Sequence, residues 1–246
     1  LGAAAMGLRS DAPAALCAIA LVLSCAAAES FVPGRTYLLD HDEATGNMIF
    51  RGNNPNINGS FAWDELTATL AEVAANNSLT FPTEFSLVDV SFLVGLDPKE
   101  SGDLKAEQDF FKANPSKGSL INWPLLTDLL GPCWTPEAKR IQQAKTDTWD
   151  LDHAPVKVAK LHSMLQTRAT GAPVQIIYIH CEAGVDRTGE ISGSYNMQYK
   201  NQTYQEVLAF DDKVEPRKIS GAAENGLQWY AMYLQYALGY PATYSC

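Results

Sequence analysis

A thiol and a guanidinium stand with five residues between them in the run His180-Cys181-Glu182-Ala183-Gly184-Val185-Asp186-Arg187-Thr188-Gly189. Cysteine attacks as a thiolate, and a helix N-terminus or a neighbouring arginine favours that form. Arginine grips phosphoryl oxygens through a planar fork of donors, a contact lysine cannot copy. Between the two, Glu182, Ala183, Gly184, Val185 and Asp186 supply backbone N–H groups which, with that of Arg187, can turn inward as an anion cradle. Gly184 permits the tight turn this requires. The Thr188 hydroxyl is placed to hydrogen-bond the sulfur as it leaves. The chemistry that fits is displacement at phosphorus through a cysteinyl phosphate.

A loop of this kind needs a rigid strand before it and a helix after it. Val174 to Ile179 is apolar and largely β-branched, the composition of a buried strand, and Ile191, Tyr195 and Tyr199 take up helical spacing beyond the loop. Upstream, Arg35 to Asp40 and Asn47 to Arg51 are predicted strands joined by a polar turn, with a loop at Gly52 to Pro55. A helix is expected over Trp63 to Ala75 and strand character over Phe85 to Leu96. The stretch from Ser101 to Lys145, with helices expected at Leu104 to Lys112 and Pro136 to Ala144, looks like an insertion into a smaller core. Helical patterns follow at Val156 to Leu165, Glu206 to Phe210 and Asn225 to Leu238.

The motif resembles the signature loop of the protein tyrosine and dual-specificity phosphatase superfamily, and the order acidic loop, helix, strand, cysteine loop is similar to that family's. The resemblance implies an α/β fold with a central mixed β-sheet flanked by helices, the phosphate-binding loop lying between a central strand and a helix. It implies catalysis by Cys181 and Arg187 with support from Thr188, and it gives His180 the task of holding the loop from beneath. In the family the general acid lies about thirty residues before the cysteine. Asp150 and Asp152 both qualify, and Asp152 is preferred because Asp152-His153-Ala154-Pro155 resembles the acid loop of lipid and dual-specificity members. No cofactor and no metal is called for.

The substrate is drawn in three directions. Ala183-Gly184-Val185 matches tyrosine-specific members, His180 to Val185 resembles secreted phosphatases that act on inositol polyphosphates, and Asp186-Arg187-Thr188 resembles phosphoinositide phosphatases. Glu182, Val185 and Asp186 add negative and no positive charge to the loop, so protein tyrosine or dual specificity is the favoured reading. An inositol polyphosphate or phosphoinositide phosphatase is the alternative within the chemistry, and a catalytically silent phosphate-binding module the alternative outside it.

The chain has 246 residues, 46% hydrophobic, enough for one domain with a sizeable core. Its formal net charge of -10 argues against a nucleic-acid partner and weakens a case for anionic membrane surfaces, while the loop implies a phosphorylated protein or a small phosphomonoester as partner. Arg9, the apolar run Ala12 to Val22 and the small residues from Ser24 to Ala28 read as a secretory signal peptide over residues 1–28. The domain is then 29–246, with no stable membrane insertion after cleavage and a destination in the secretory lumen or outside the cell. Beyond the leader, Cys133, Cys181 and Cys246 remain, and a Cys133–Cys246 disulfide with Cys181 free is one pairing open to them. Sequons at Asn58, Asn76 and Asn201 agree with secretion.

Overall fold

The structure is a computed structural model that describes residues 31–246; the signal-peptide expectation lies outside them. Its centre is a five-stranded sheet, and the middle strand of it is the one that carries the cysteine. In chain order the strands are β1 (Tyr37–His41), β2 (Met48–Asn53), β5 (Phe85–Ser91), β6 (Gly118–Asn122) and β7 (Val174–Cys181). A separate two-stranded hairpin of β3 (Asn56–Ile57) and β4 (Ser60–Phe61) follows β2. The spatial order is β1-β2-β7-β5-β6, with β1 antiparallel to β2 and every other pairing parallel. The fold is therefore α/β with a mixed sheet, as the sequence implies.

Strand alternation divides β7 between two cores. Ile176 and Tyr178 face one side, where α1 (Trp63–Asn76) and α2 (Pro98–Ala113) cover them. Ile177, Ile179 and Cys181 face the other, among residues of α3 (Glu137–Thr146), α4 (Ala154–Gln166), α5 (Asp186–Tyr199), α6 (Tyr204–Val214) and α7 (Gly221–Tyr236). His180 and Cys181 consequently point to opposite faces, the imidazole toward α2 and the thiol toward α5. With helices on both faces, the central strands carry apolar residues on both sides, hence the near-continuous hydrophobic run of β7.

Helix α5 is the inner helix of its layer, buried from Thr188 through Tyr195. It can lie there because Gly189 and Gly193 carry no side chain: a Cβ would meet Asp211 Oδ2 at 2.3 Å or Val207 Cγ1 at 2.4 Å. Helix α6 opens with a reciprocal cap between Thr203 and Glu206.

The stretch read as an insertion is part of this architecture. Gly118–Asn122 forms the edge strand β6, and the helix expected from Leu104 begins six residues earlier, at Pro98, capped by Asp97. Asn53 and Gly52, expected in a loop, complete β2. Cys133 and Cys246 form a disulfide, and Cys181 is the free cysteine among the described residues. Among those residues no helix is long and apolar enough to cross a membrane.

Candidate active site

The loop between β7 and α5 is held by its carbonyls. The oxygen of Glu182 accepts from Asn54 N at 3.1 Å, that of Ala183 from Arg35 Nη1 at 3.2 Å, and that of Gly184 from Arg51 Nη2 at 2.7 Å. With three successive carbonyls drawn outward to one set of donors, the peptide planes present their N–H groups on the other side. The N–H groups of Ala183, Gly184 and Val185 donate to no hydrogen bond among the described residues, which leaves them for an anion. Gly184 is required twice over: its φ is +75°, and a Cβ would lie 2.6 Å from the backbone of Gly52.

Arg51 is the residue that fixes this arrangement. Only 2% exposed, it donates to Ser192 Oγ at 2.7 Å and Asp211 Oδ1 at 2.6 Å while its other arm holds Gly184. A buried arginine is tolerated when its charge is paired, and here Asp211 pairs it while both terminal nitrogens find acceptors. One guanidinium thus ties β2 to α5, α6 and the loop.

Arg187 is aimed by α2. Its Nη2 donates to Glu100 Oε1 at 2.5 Å and its Nη1 to Phe92 O at 3.2 Å. Glu100 is fixed in turn by the N–H groups of Val94 and Gly95. Burial works against the charge of Arg187, but Cys181, Glu100 and Glu182 outweigh it and hold the guanidinium above its ordinary value. Cys181 is therefore close enough to act on Arg187 electrostatically; the thiol itself is 1% exposed. Arg187 opens into a cavity of about 310 Å³ lined also by Val94, Leu96, Leu126, Thr127 and Asp186.

Beneath the loop, on the α2 face, His180 Nε2 lies 3.1 Å from Asp89 Oδ1 and 3.7 Å from Glu107 Oε1, all three side chains fully buried. These groups sit within 4.8 Å of one another and are of metal-ligating types. A protonated imidazole fills the same electrostatic need. Burial opposes its charge, yet Asp89 and Glu107 reverse that and raise His180, while burial raises the Glu107 carboxyl toward its neutral form. His180 Nδ1 also approaches Cys181 O at 3.4 Å, and its carbonyl accepts from Phe92 N. The histidine is thus built into the support of the loop.

Asp186, the first residue of α5, accepts both arms of Arg217 at 3.0 and 2.7 Å and the N–H of Ser220 at 2.7 Å. Burial raises it, and Arg217 with Ser220 more than compensates, leaving it below the usual carboxylate range. Thr188 Oγ1 is buried and makes no hydrogen bond among the described residues, to Cys181 or otherwise. The side chain of Glu182 pairs with Lys99.

The two acid candidates lie in one cluster but do different things. Asp150 receives the N–H groups of Asp152, at 2.8 Å, and of Ala154, the first residue of α4. Asp152 Oδ2 receives the N–H groups of Leu126 at 2.8 Å and Thr127 at 2.7 Å, so it holds the wall of the Arg187 cavity. Behind them, Glu190 of α5 is buried with both carboxylate oxygens unpartnered. Burial, then Asp128, Asp152 and Asp150, push it well above its ordinary value. Sequence reading singled out neither Arg35, Glu100 nor Glu190. Each acts across elements more than 80 residues apart or from a buried face, and a single strand or helix pattern carries no sign of that.

Among the solved structures that this chain resembles are phosphatase and phosphatase-like domains. One is a leucine-rich-repeat and phosphatase-domain protein from Entamoeba histolytica, 11% identical, covering 82% of this chain and 95% of that one with a TM-score of 0.39. A second is the core catalytic domain of a PP-IP phosphatase from S. cerevisiae, 15% identical, covering 78% and 84% with a TM-score of 0.41. A third is the human tyrosine phosphatase-like serine/threonine/tyrosine-interacting protein, 14% identical, covering 76% and 93% with a TM-score of 0.39. No protein-family model and no curated protein matches the chain. At these identities the reading of the site rests on the loop itself.

Proposed function

We propose that the chain is a cysteine-dependent phosphomonoester hydrolase, directed at protein phosphotyrosine or at mixed phosphoprotein substrates. The observation that carries this reading is the outward anchoring of the Glu182, Ala183 and Gly184 carbonyls, which frees the loop amides beside Cys181 and Arg187. Cys181 Sγ attacks phosphorus, the amides and the Arg187 fork hold the three equatorial oxygens, and the bond to the leaving oxygen breaks. Asp152 gives that oxygen its proton through Oδ1, the carboxylate oxygen not engaged by the loop. It then takes a proton from the water that cleaves the S–P bond, which restores the thiolate and releases phosphate.

Two features favour a monophosphorylated substrate over an inositol polyphosphate. The mouth carries the apolar side chains of Val94, Leu96 and Leu126. Three cations that contact the loop or its neighbours are matched by acid: Lys99 with Glu182, Arg217 with Asp186 and Glu215, Arg35 with Glu215. A polyanion would have to compete with those carboxylates. A lumenal or extracellular site of action is supported by the Cys133–Cys246 disulfide and by exposed asparagines at the three sequons.

A panel of phosphotyrosine peptide, phosphoserine peptide, phosphoinositide and inositol hexakisphosphate tests the reading. Purified 29–246 protein under reducing conditions is expected to release phosphate from the tyrosine peptide in the presence of EDTA. Release from the inositol polyphosphate alone would overturn the substrate assignment, and release from none would overturn the hydrolase.

A further inference from the structure

A second cavity shares a wall with the Arg187 pocket. It measures about 610 Å³, within the range of sites that hold small ligands or single side chains. Leu126 and Thr127 line both cavities, so a molecule that reaches Arg187 through one has atoms at the edge of the other. The floor contains Trp149 stacked on Trp229, ring centres 5.9 Å apart and planes 7° from parallel.

The rim is apolar and yet held in place. Leu129 is 86% exposed and Leu151 83%. The backbone that presents them is tied on both sides: Asp152 holds Leu126 and Thr127, Asn225 Nδ2 donates to Asp128 O at 3.0 Å, and Trp229 Nε1 donates to Leu130 O at 2.8 Å. Large apolar side chains kept in water on an anchored loop beside a reaction centre are suited to cover a ligand's apolar group, because little ordering is left to do on binding. The same cavity has Gln143, Lys139 and Thr148 on its lining. An acyl chain would strip water from these groups without replacing it, whereas a polypeptide backbone offers them carbonyl and N–H partners.

We infer that this cavity is a specificity site for a phosphorylated polypeptide, taking a leucine-sized or aromatic side chain close to the phosphorylated residue while the flanking backbone meets the polar lining. The inference rests on the phosphatase reading and narrows its substrate: phosphorylation sites with an apolar neighbour are preferred to sites with an acidic one.

The test uses Cys181→Ser protein, so that binding is read without turnover, and a set of phosphotyrosine peptides carrying a single Leu or a single Asp at each of three positions on either side. Calorimetry is expected to show one position at which Leu binds about tenfold or more tighter than Asp, the effect of burying one leucine side chain. Leu129→Asp and Leu151→Asp, both at exposed positions the fold tolerates, are expected to bring that ratio to within about twofold. Equal affinities for all peptides in the parent protein overturn the inference. So does tight binding of vesicles bearing phosphatidic acid together with leucine-independent peptide binding, which assigns the cavity to an acyl chain. Turnover of an aryl phosphate by the unmutated protein is measured alongside: its absence overturns the hydrolase reading, whereas its presence with equal peptide affinities overturns only the specificity site.

Discussion

Asp152 has two tasks that can be separated by the leaving group. Its Oδ2 holds the Leu126–Thr127 backbone, and its other oxygen is the proposed proton donor. An asparagine keeps one acceptor for the loop but has no proton to give. Asp152→Asn is expected to slow phosphotyrosine hydrolysis roughly a hundredfold or more and to leave substrates with strongly acidic leaving groups nearly unaffected. A uniform loss across leaving groups would restrict Asp152 to its structural task. Asp186 provides the comparison, because its carboxylate is committed to Arg217 and Ser220 N at the start of α5. Asp186→Asn is expected to weaken phosphate binding equally for every substrate. A leaving-group-dependent loss there would transfer the acid to the loop itself.

The loop element, from Cys181 to Arg187, depends on β2 as much as on its own sequence. Arg51→Met removes the charge facing Asp211 and the donor facing Gly184 O at one stroke. With both partners buried, the expected loss is about 3–5 kcal/mol of stability, read as a shift in urea midpoint, together with loss of vanadate binding. Stability reduced with vanadate affinity intact would show that the loop holds its shape without that anchor. This dependence marks where the sequence ceases to be legible. The motif exposes Cys181, Gly184 and Arg187 because thiol, turn and fork must lie close together along the chain, and β7 is visible because burial on both faces requires a long apolar run. Helices α1 and α4 announce themselves by their apolar spacing, and α3 by the proline at its start. The anchors Arg35 and Glu100 come from elsewhere in the chain, and no local pattern separates them from surface charges. Strand β6 was hidden for another reason: as an edge strand with half-buried and exposed positions, Gly118–Asn122 has too few apolar residues to stand out from the loop around it.

For the whole molecule, the buried carboxyls behind α5 set the response to pH. Burial, then Asp150 and Asp152, raise Asp128 to about 7, and burial with the same acidic neighbours pushes Glu190 well above its ordinary value. In the unfolded chain both return to ordinary values near 4. Between roughly pH 4 and 7 the folded protein therefore keeps protons that the unfolded chain has released, and stability falls as pH rises. His180 acts in the same sense, since an imidazolium held by Asp89 and Glu107 contributes stability that is lost as pH rises through its elevated value. Glu100 and Asp186, both lowered, contribute stability that is lost only as pH falls through their depressed values, outside this window. The thermal midpoint is expected to be higher at pH 5 than at pH 8, with Glu190→Gln raising the value at pH 8 and flattening the profile. A midpoint that climbs from pH 5 to 8 would contradict this account of the interior. The claim on which the functional account turns is covalent, and acid quench of the enzyme with an isotopically labelled phosphotyrosine peptide during turnover, followed by mapping of the labelled fragment, tests it most directly. The account predicts acid-stable label on the fragment containing Cys181 and none in Cys181→Ser protein; turnover with label on another residue, or undiminished in the serine variant, would contradict it.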